Sequence, residues 1–247
     1  MKFILMLKLS LITVFLMVIE SGLNTVWRDG QLLAKNPTYT INKEDQFLSN
    51  ARQLTFEGRR SGEGYFSSDG SQMIFQSERE IGNPFFQIYL MTLKTGRVHR
   101  VSPGYGKTTC GWIAPDGQKV LFASTHADSD SIKKQQKELQ IRASGQNRRY
   151  TWDFDEHFDI YESDQQGNYL KKLTDSQGYD AEASWSPDGR LIAFSSNRHA
   201  YEVPLAPQKK EIFSRDKSYF VDLYLMKADG SEVRRLTQEE GYDGGPF

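Results

Sequence analysis

The chain has 247 residues, 38% hydrophobic and 26% charged, enough apolar material to bury a core and to exclude the disordered class. Its formal net charge of −1 offers no electrostatic footprint for DNA or RNA, so nucleic acid is excluded as the expected partner. Cys110 is the sole cysteine, which rules out an internal disulfide and leaves no thiol near residue 20 for a lipid anchor.

Residues 1–22 read as a signal peptide, with Lys2 and Lys8 ahead of an uncharged apolar run from Leu9 to Ile19 and small residues at Ser21 and Gly22. The run is shorter than the roughly 20 residues of a spanning helix. Glu20 departs from the cleavage pattern, so an uncleaved N-terminal anchor is the alternative, and the one route by which the chain would meet a membrane. Residues 23–50 show no period and are expected to form an irregular lead-in.

From residue 51 the chain repeats itself. Ser67-Ser68-Asp69-Gly70, Ala114-Pro115-Asp116-Gly117 and Ser186-Pro187-Asp188-Gly189 mark the period, and Asp-Gly between apolar runs predicts hairpins with type I′ turns. Fifteen residues before each Asp stand Leu54, Val101 and Leu173, each followed by a hydroxyl residue: Thr55, Ser102 and Thr174. After each turn an alternating strand follows, at Met73 and Phe75, Val120 and Phe122, and Ile192 and Phe194. A further strand recurs around Tyr89, Tyr161 and Tyr224, each Tyr twelve residues before Val101, Leu173 or Leu236. Four short strands per repeat describe a propeller blade. Length varies only between the second and third strands, where Phe75 to Tyr89, Phe122 to Tyr161 and Phe194 to Tyr224 span 14, 39 and 30 residues. Within the longest insertion, Lys133 to Arg149 is expected to be a short surface helix or a loop. Insertions clustered on one face mark the binding face.

Leu173-Thr174, Gly178-Tyr179-Asp180-Ala181-Glu182, Trp185-Ser186-Pro187-Asp188-Gly189 and Tyr224-Leu225-Met226 through Asp229-Gly230 resemble the WD40-like repeats of TolB-like propellers. The resemblance covers 51–247 and implies an all-β partial β-propeller of about three four-stranded blades plus the start of a fourth. Similar repeats occur in periplasmic TolB, which binds partner proteins, and in propellers that gate peptidases, as in tricorn and dipeptidyl-peptidase-IV-like proteins. A fourth repeat starts at Leu236-Thr237 and runs through Gly241-Tyr242-Asp243-Gly244-Gly245-Pro246-Phe247 in register with Leu173 to Ser184, without its own Asp-Gly turn. The expectation is an incomplete ring, from a truncated frame or a fragment, with assembly between chains as the alternative.

Two regions hold candidate site residues. At the link into each blade, Glu63, Cys110, Glu182 and Gly245 occupy equivalent positions, two or three residues before Tyr65, Phe66, Trp112 and Trp185. By analogy with propellers they lie near the mouth of the central channel, where acidic and aromatic groups suit a peptide terminus or a basic segment. Asp180, two residues before Glu182, joins them. Arg79, His126 and Arg198 share one position after the second strand, as ligand contacts or as caps of the strand ends. The simpler alternative packs Trp112 and Trp185 between blades and leaves the glutamates solvated. In the long insertion, His126, Asp128, Asp155 and His157 are candidate metal ligands; their spacing matches no defined motif, and charges leading into a strand are commonly a solvated face.

No nucleophile elbow, zinc-peptidase helix, phosphate loop or dinucleotide fingerprint occurs, so no cofactor is implied. The reading is an exported, periplasmic or secreted binding module for a protein or peptide, non-catalytic in this chain. The alternative is the gating portion of a secreted peptidase whose catalytic domain lies elsewhere. A third class, a propeller lyase, would need several histidines on the channel, and His126, His157 and His199 are its candidates.

Overall fold

The computed structural model describes residues 47–145 and 154–247, together with the backbone of 25–28 and 31–34. The segment read as a signal peptide lies outside the described residues. Two compact units are present, Met1–Gln53 and Leu54–Phe247. In the first, β1 (Thr25–Arg28) pairs antiparallel with β2 (Gln31–Ala34), a hairpin inside the segment read as irregular. The sequence between them is Asp29-Gly30, the same dipeptide that marks the later turns.

The second unit contains three four-stranded antiparallel sheets, each a meander in chain order. Blade 1 is β3 (Arg60–Phe66), β4 (Gln72–Glu78), β5 (Gln87–Thr92) and β6 (Arg97–Arg100). Blade 2 is β7 (Thr108–Ile113), β8 (Lys119–Ser124), β9 (Asp159–Asp164) and β10 (Leu170–Lys172). Blade 3 is β11 (Asp180–Trp185), β12 (Leu191–Ser196), β13 (Asp222–Lys227) and β14 (Arg234–Arg235). The fold class is therefore a partial β-propeller, as the repeat predicts. Asp243 N donates to Val221 O at 2.8 Å, as Asp180 N does to Phe158 O at 3.0 Å, so the start of the fourth repeat keeps its register.

The turn type differs from the expectation. Gly70, Gly117 and Gly189 are left-handed, at φ 66°, 69° and 71°, but the Asp before each is not among the positive-φ residues. Each glycine N–H bonds three residues back, to Ser67, Ala114 and Ser186 O at 2.9, 2.8 and 2.8 Å. These are type I turns followed by a left-handed Gly, not type I′. In blades 2 and 3 proline favours this geometry, since Pro115 and Pro187 stand at the first central position, where the ring fixes φ near −65°; Ser68 takes the same position in blade 1. The Asp serves the turn through its side chain. Asp69 Oδ1 accepts from Ser67 Oγ at 2.6 Å and Ser71 N at 3.0 Å, and Asp188 Oδ1 from Ser186 Oγ at 2.6 Å and Arg190 N at 3.1 Å.

Alternation along the strands sorts the core into two inter-blade layers. Ile74, Ile88 and Leu90 of blade 1 meet Val120, Phe122 and Tyr161 of blade 2. Leu121 and Ile160, on the other face of blade 2, meet Ile192, Phe194, Tyr224 and Met226 of blade 3. The hydroxyl residue that closes each repeat supplies a strand-end acceptor. Ser102, Thr174 and Thr237 take the N–H of Ile88, Ile160 and Leu223 at 3.0, 2.9 and 2.9 Å. A close approach then locks each blade to the one before it. A Cβ at Gly167 would lie 2.8 Å from Val101 O, and one at Gly230 would lie 2.7 Å from Leu173 O.

The insertions carry helices. Between β8 and β9, α1 (Ser131–Ala143) starts two residues ahead of the stretch expected to be helix or loop and reaches across to blade 1. Gln135 Oε1 accepts from Gly106 N at 2.6 Å, and Arg142 pairs with Glu78 at 2.5 Å and donates to Pro84 O at 2.8 Å. Between β12 and β13 lie α2 (His199–Glu202), α3 (Pro207–Arg215) and a 3-10 turn (Lys217–Phe220), which the sequence reading did not anticipate. Pro207 at the first turn of α3 is the start signal it passed over. Among the described residues no helix is long and apolar enough to cross a membrane.

Two glycine substitutions separate backbone strain from blade packing. Gly117→Ala, with open space around its Cβ, should cost about 1–2 kcal/mol for a left-handed alanine. Gly230→Ala adds the clash with Leu173 O and should cost roughly 3 kcal/mol or more. Urea denaturation of both variants measures the difference, and equal losses would contradict the packing role.

Candidate functional site

Each blade begins with a bulged strand. Pairing shifts register between Gly62 and Tyr65 in blade 1, Thr109 and Trp112 in blade 2, and Ala181 and Ser184 in blade 3. Inside each bulge one side-chain-bearing residue is left-handed: Glu63 at φ 46°, Cys110 at 54° and Glu182 at 55°. Gly245, at the fourth equivalent position, has φ 65°. Such residues cost strain that the surrounding structure must hold. A bulge re-aims its side chain, and here three bulges aim at one place.

Cys110 Sγ donates to Glu63 Oε2 at 3.4 Å, and both glutamates line the same two cavities with it. One cavity, of about 70 Å³, lies toward the insertions and includes Phe85, Phe86, Lys107 and Phe158. The other, of about 270 Å³, continues along the strands past Tyr65, Trp112, Tyr242 and Phe247. Tyr65 and Trp112 touch across it with ring centroids 4.6 Å apart.

The two carboxylates differ in what holds them. Glu182 is filled: Tyr179 OH at 3.1 Å and Tyr242 OH donate to Oε1, while Ser195 Oγ at 2.8 Å and Gly245 N at 2.6 Å donate to Oε2. Glu63 has the Cys110 thiol as its donor and no ion pair among the described residues. Loss of water at the cavity wall pushes its carboxyl above the ordinary value, the thiol hydrogen bond opposes this, and the Glu182 charge adds to it. The Cys110 thiol is driven well up by burial and by both glutamates, so it is a poor nucleophile here.

The residues after the second strand behave as caps. Arg79 Nε and Arg198 Nε donate to Ser77 and Ser196 Oγ at 3.0 and 3.1 Å, and His126 Nδ1 lies 3.0 Å from Ser124 Oγ. Each also lies against its blade's aromatic pair: Arg79 over Phe75 and Tyr89, His126 beside Tyr161, and Arg198 over Phe194 and Tyr224. Arg198 further donates to Asp180 Oδ2 at 2.7 Å, a pair buried at the head of β11. Of the metal candidates, Asp128, Asp155 and His157 come together within 4.8 Å, and His126 does not join them. Lys134 Nζ lies 2.7 Å from Asp128 and 2.9 Å from Asp155, with Lys107 Nζ 3.2 Å from Asp155. Two ammonium groups thus neutralise the two carboxylates that a cation would need.

Tyr179, Ser195, Tyr242 and Gln76 escaped the sequence reading. Gln76 Oε1 accepts from Thr109 Oγ1 at 2.8 Å and so bridges blades 1 and 2 beside Cys110. Tyr242 had a signal, its register with Tyr179.

The architecture is that of a β-propeller. No protein-family model matches the chain. Among solved structures it is similar to a TolB of Agrobacterium tumefaciens, at 21% identity and TM-score 0.51 over 77% of this chain and 53% of that one. It also resembles TolB of Acinetobacter baumannii, at 22% identity and TM-score 0.47 over 74% of this chain and 34% of that one. The β-propeller domain of the Trilobed protease of Pyrococcus furiosus matches at 12% identity and TM-score 0.41 over 72% and 42%. The fold is a TolB-like propeller, and the chain spans about half the length of the Agrobacterium structure it matches.

The buried pair at the head of β11 has a measurable signature. Burial pushes the Asp180 carboxyl up to about 6, against the pull of Arg198 and Ser196. The folded chain therefore holds this proton more tightly than the unfolded one. Asp180's contribution to stability is fully present below its ordinary 3.8 and is lost as the pH rises through about 6. In urea denaturation, wild type should gain stability relative to Asp180→Asn between about pH 7 and about pH 4.5. A relative loss over that window would show that the charged pair is the favoured form.

Proposed function

We propose that this chain is an exported, non-catalytic binding module, periplasmic or secreted, that captures a protein or peptide partner at the channel mouth formed by the inner-strand bulges. The carrying observation is Glu63: a carboxylate short of donors, partly stripped of water, beside Glu182 and next to the Tyr65 and Trp112 rings. A cationic group of the partner, an N-terminal amine or a basic side chain, would supply the charge that Glu63 lacks. The adjoining apolar side chain would lie beside Phe247, which already packs on the two rings. Cys110 holds that carboxylate in place and the Glu182 charge beside it favours a cation, while Asp180, Arg198, Arg79 and His126 brace the strand ends. The N-terminal run of Leu9 to Ile19 supports export.

Calorimetric titration with a free-amine tetrapeptide, Ala-Phe-Gly-Gly, tests the reading. Binding should weaken roughly tenfold or more when the amine is acetylated, and similarly in Glu63→Gln. Equal affinity for the free and acetylated peptides, or for wild type and Glu63→Gln, would reject the channel mouth as the site.

A further inference from the structure

The two seams between blades are built from equivalent positions but are not sealed alike on the face opposite the insertions. At the seam of blades 1 and 2, Gln165 acts as a plug. Its side chain exchanges two hydrogen bonds with Gln72, at 3.1 and 2.9 Å, and donates to Gly117 O, while His99 Nε2 donates to Gln165 O at 2.7 Å. Ser68 Oγ adds a bond to Pro115 O at 2.8 Å.

At the seam of blades 2 and 3 each of these parts is changed. The position of Gln165 is held by Ala228, as the shared offset from Tyr161 and Tyr224 shows. The position of Gln72 is Lys119, which turns to Glu162 of its own blade at 2.9 Å. The position of Ser68 is Pro115, which has no hydroxyl to give. A groove of about 600 Å³ remains, within the size range of ligand sites. Its floor includes the buried Ala114 and Trp185, and the exposed Pro187 stands at its edge.

Charge selects the occupant. Asp116, Asp188, Asp229 and Glu162 line the groove against Lys119 and Lys171. Lys119 pairs with Glu162 at 2.9 Å and Arg190 with Asp188 at 2.6 Å, which leaves the carboxylates of Asp116 and Asp229 against Lys171 alone, whose Nζ donates to Asp229 O at 3.0 Å. Asp116 and Asp229 each use Oδ1 on their own turn, accepting from Gln118 N at 2.9 Å and Ser231 N at 2.9 Å, so each keeps Oδ2 for a partner. Hydrogen bonds also hold the exposed Asp229 carboxyl below its ordinary value, so it stays charged at neutral pH. An anionic ligand is repelled; a cationic one with a small apolar backbone fits.

We propose that the open seam between blades 2 and 3 binds an extended peptide segment carrying a lysine or arginine side chain. This second surface shares no lining residue with the channel cavities.

The test uses the full chain and a fluorescent, N-acetylated, C-amidated hexapeptide, Ala-Lys-Ala-Ala-Lys-Ala, followed by anisotropy. Saturable binding is expected that weakens with added salt and persists in excess Ala-Phe-Gly-Gly. Ala228→Gln, which rebuilds the plug of the other seam, should weaken it at least about fivefold, as should Asp116→Asn on an exposed turn where the fold is not at stake. Absence of saturable binding, displacement by the tetrapeptide, or full affinity in either variant would overturn the proposal. Tetrapeptide binding is read separately, so failure here leaves the channel reading to its own test.

Discussion

The close approach of each blade's outer turn to the exit of the preceding blade sets the spacing of the whole propeller unit. Gly167 against Val101 O and Gly230 against Leu173 O leave no room for a side chain, so adjacent sheets meet at one separation. At that separation the alternating strands interlock, and blade 2 buries both faces: Val120 and Phe122 toward blade 1, Leu121 and Ile160 toward blade 3. The inner strands β3, β7 and β11 are thereby brought side by side. Bulges that would otherwise be three separate irregularities become one cluster. The strain of three left-handed side chains is held by this packing, and the channel site is its consequence.

Electrostatics divides the molecule between groups satisfied within the fold and groups left for others. The cap residues Arg79, His126 and Arg198 are spent on serine hydroxyls and aromatic rings of their own blades. Asp180 is spent on Arg198, and Asp128 and Asp155 are spent on lysines. Glu182 is saturated by four donors, two of them from residues 242 and 245. Glu63 stands apart from all of these, and it does so at the position where the fold has paid to re-aim a side chain.

Much of this was legible in the sequence because a propeller writes its geometry as fixed offsets. The interval of fifteen residues from Leu54, Val101 and Leu173 to the Asp, and of twelve from Tyr to the next repeat, located every strand of the three blades. The equivalence of Glu63, Cys110 and Glu182 came from the same counting. What counting missed was conformation. Asp-Gly alone suggested type I′ turns, yet Pro115 and Pro187 already favoured a type I turn one residue earlier, since proline suits its first central position. Side-chain pairing was equally hidden: nothing in spacing shows that Arg198 turns inward to Asp180, or that Gln165 seals a seam that Ala228 leaves open. The helices of the third insertion follow no repeat and had only Pro207 to announce them.

Cys110, the single thiol, reports directly on the place where the three bulges meet. The most direct measurement is therefore its rate of alkylation by a neutral reagent, at increasing concentrations of the free-amine tetrapeptide. If the partner's amine enters beside Glu63, it both covers the thiol and offsets the charges that suppress its ionisation, so the rate should change as the peptide saturates, with the same half-point as the binding isotherm. An unchanged rate at saturating peptide would place binding elsewhere and contradict the account.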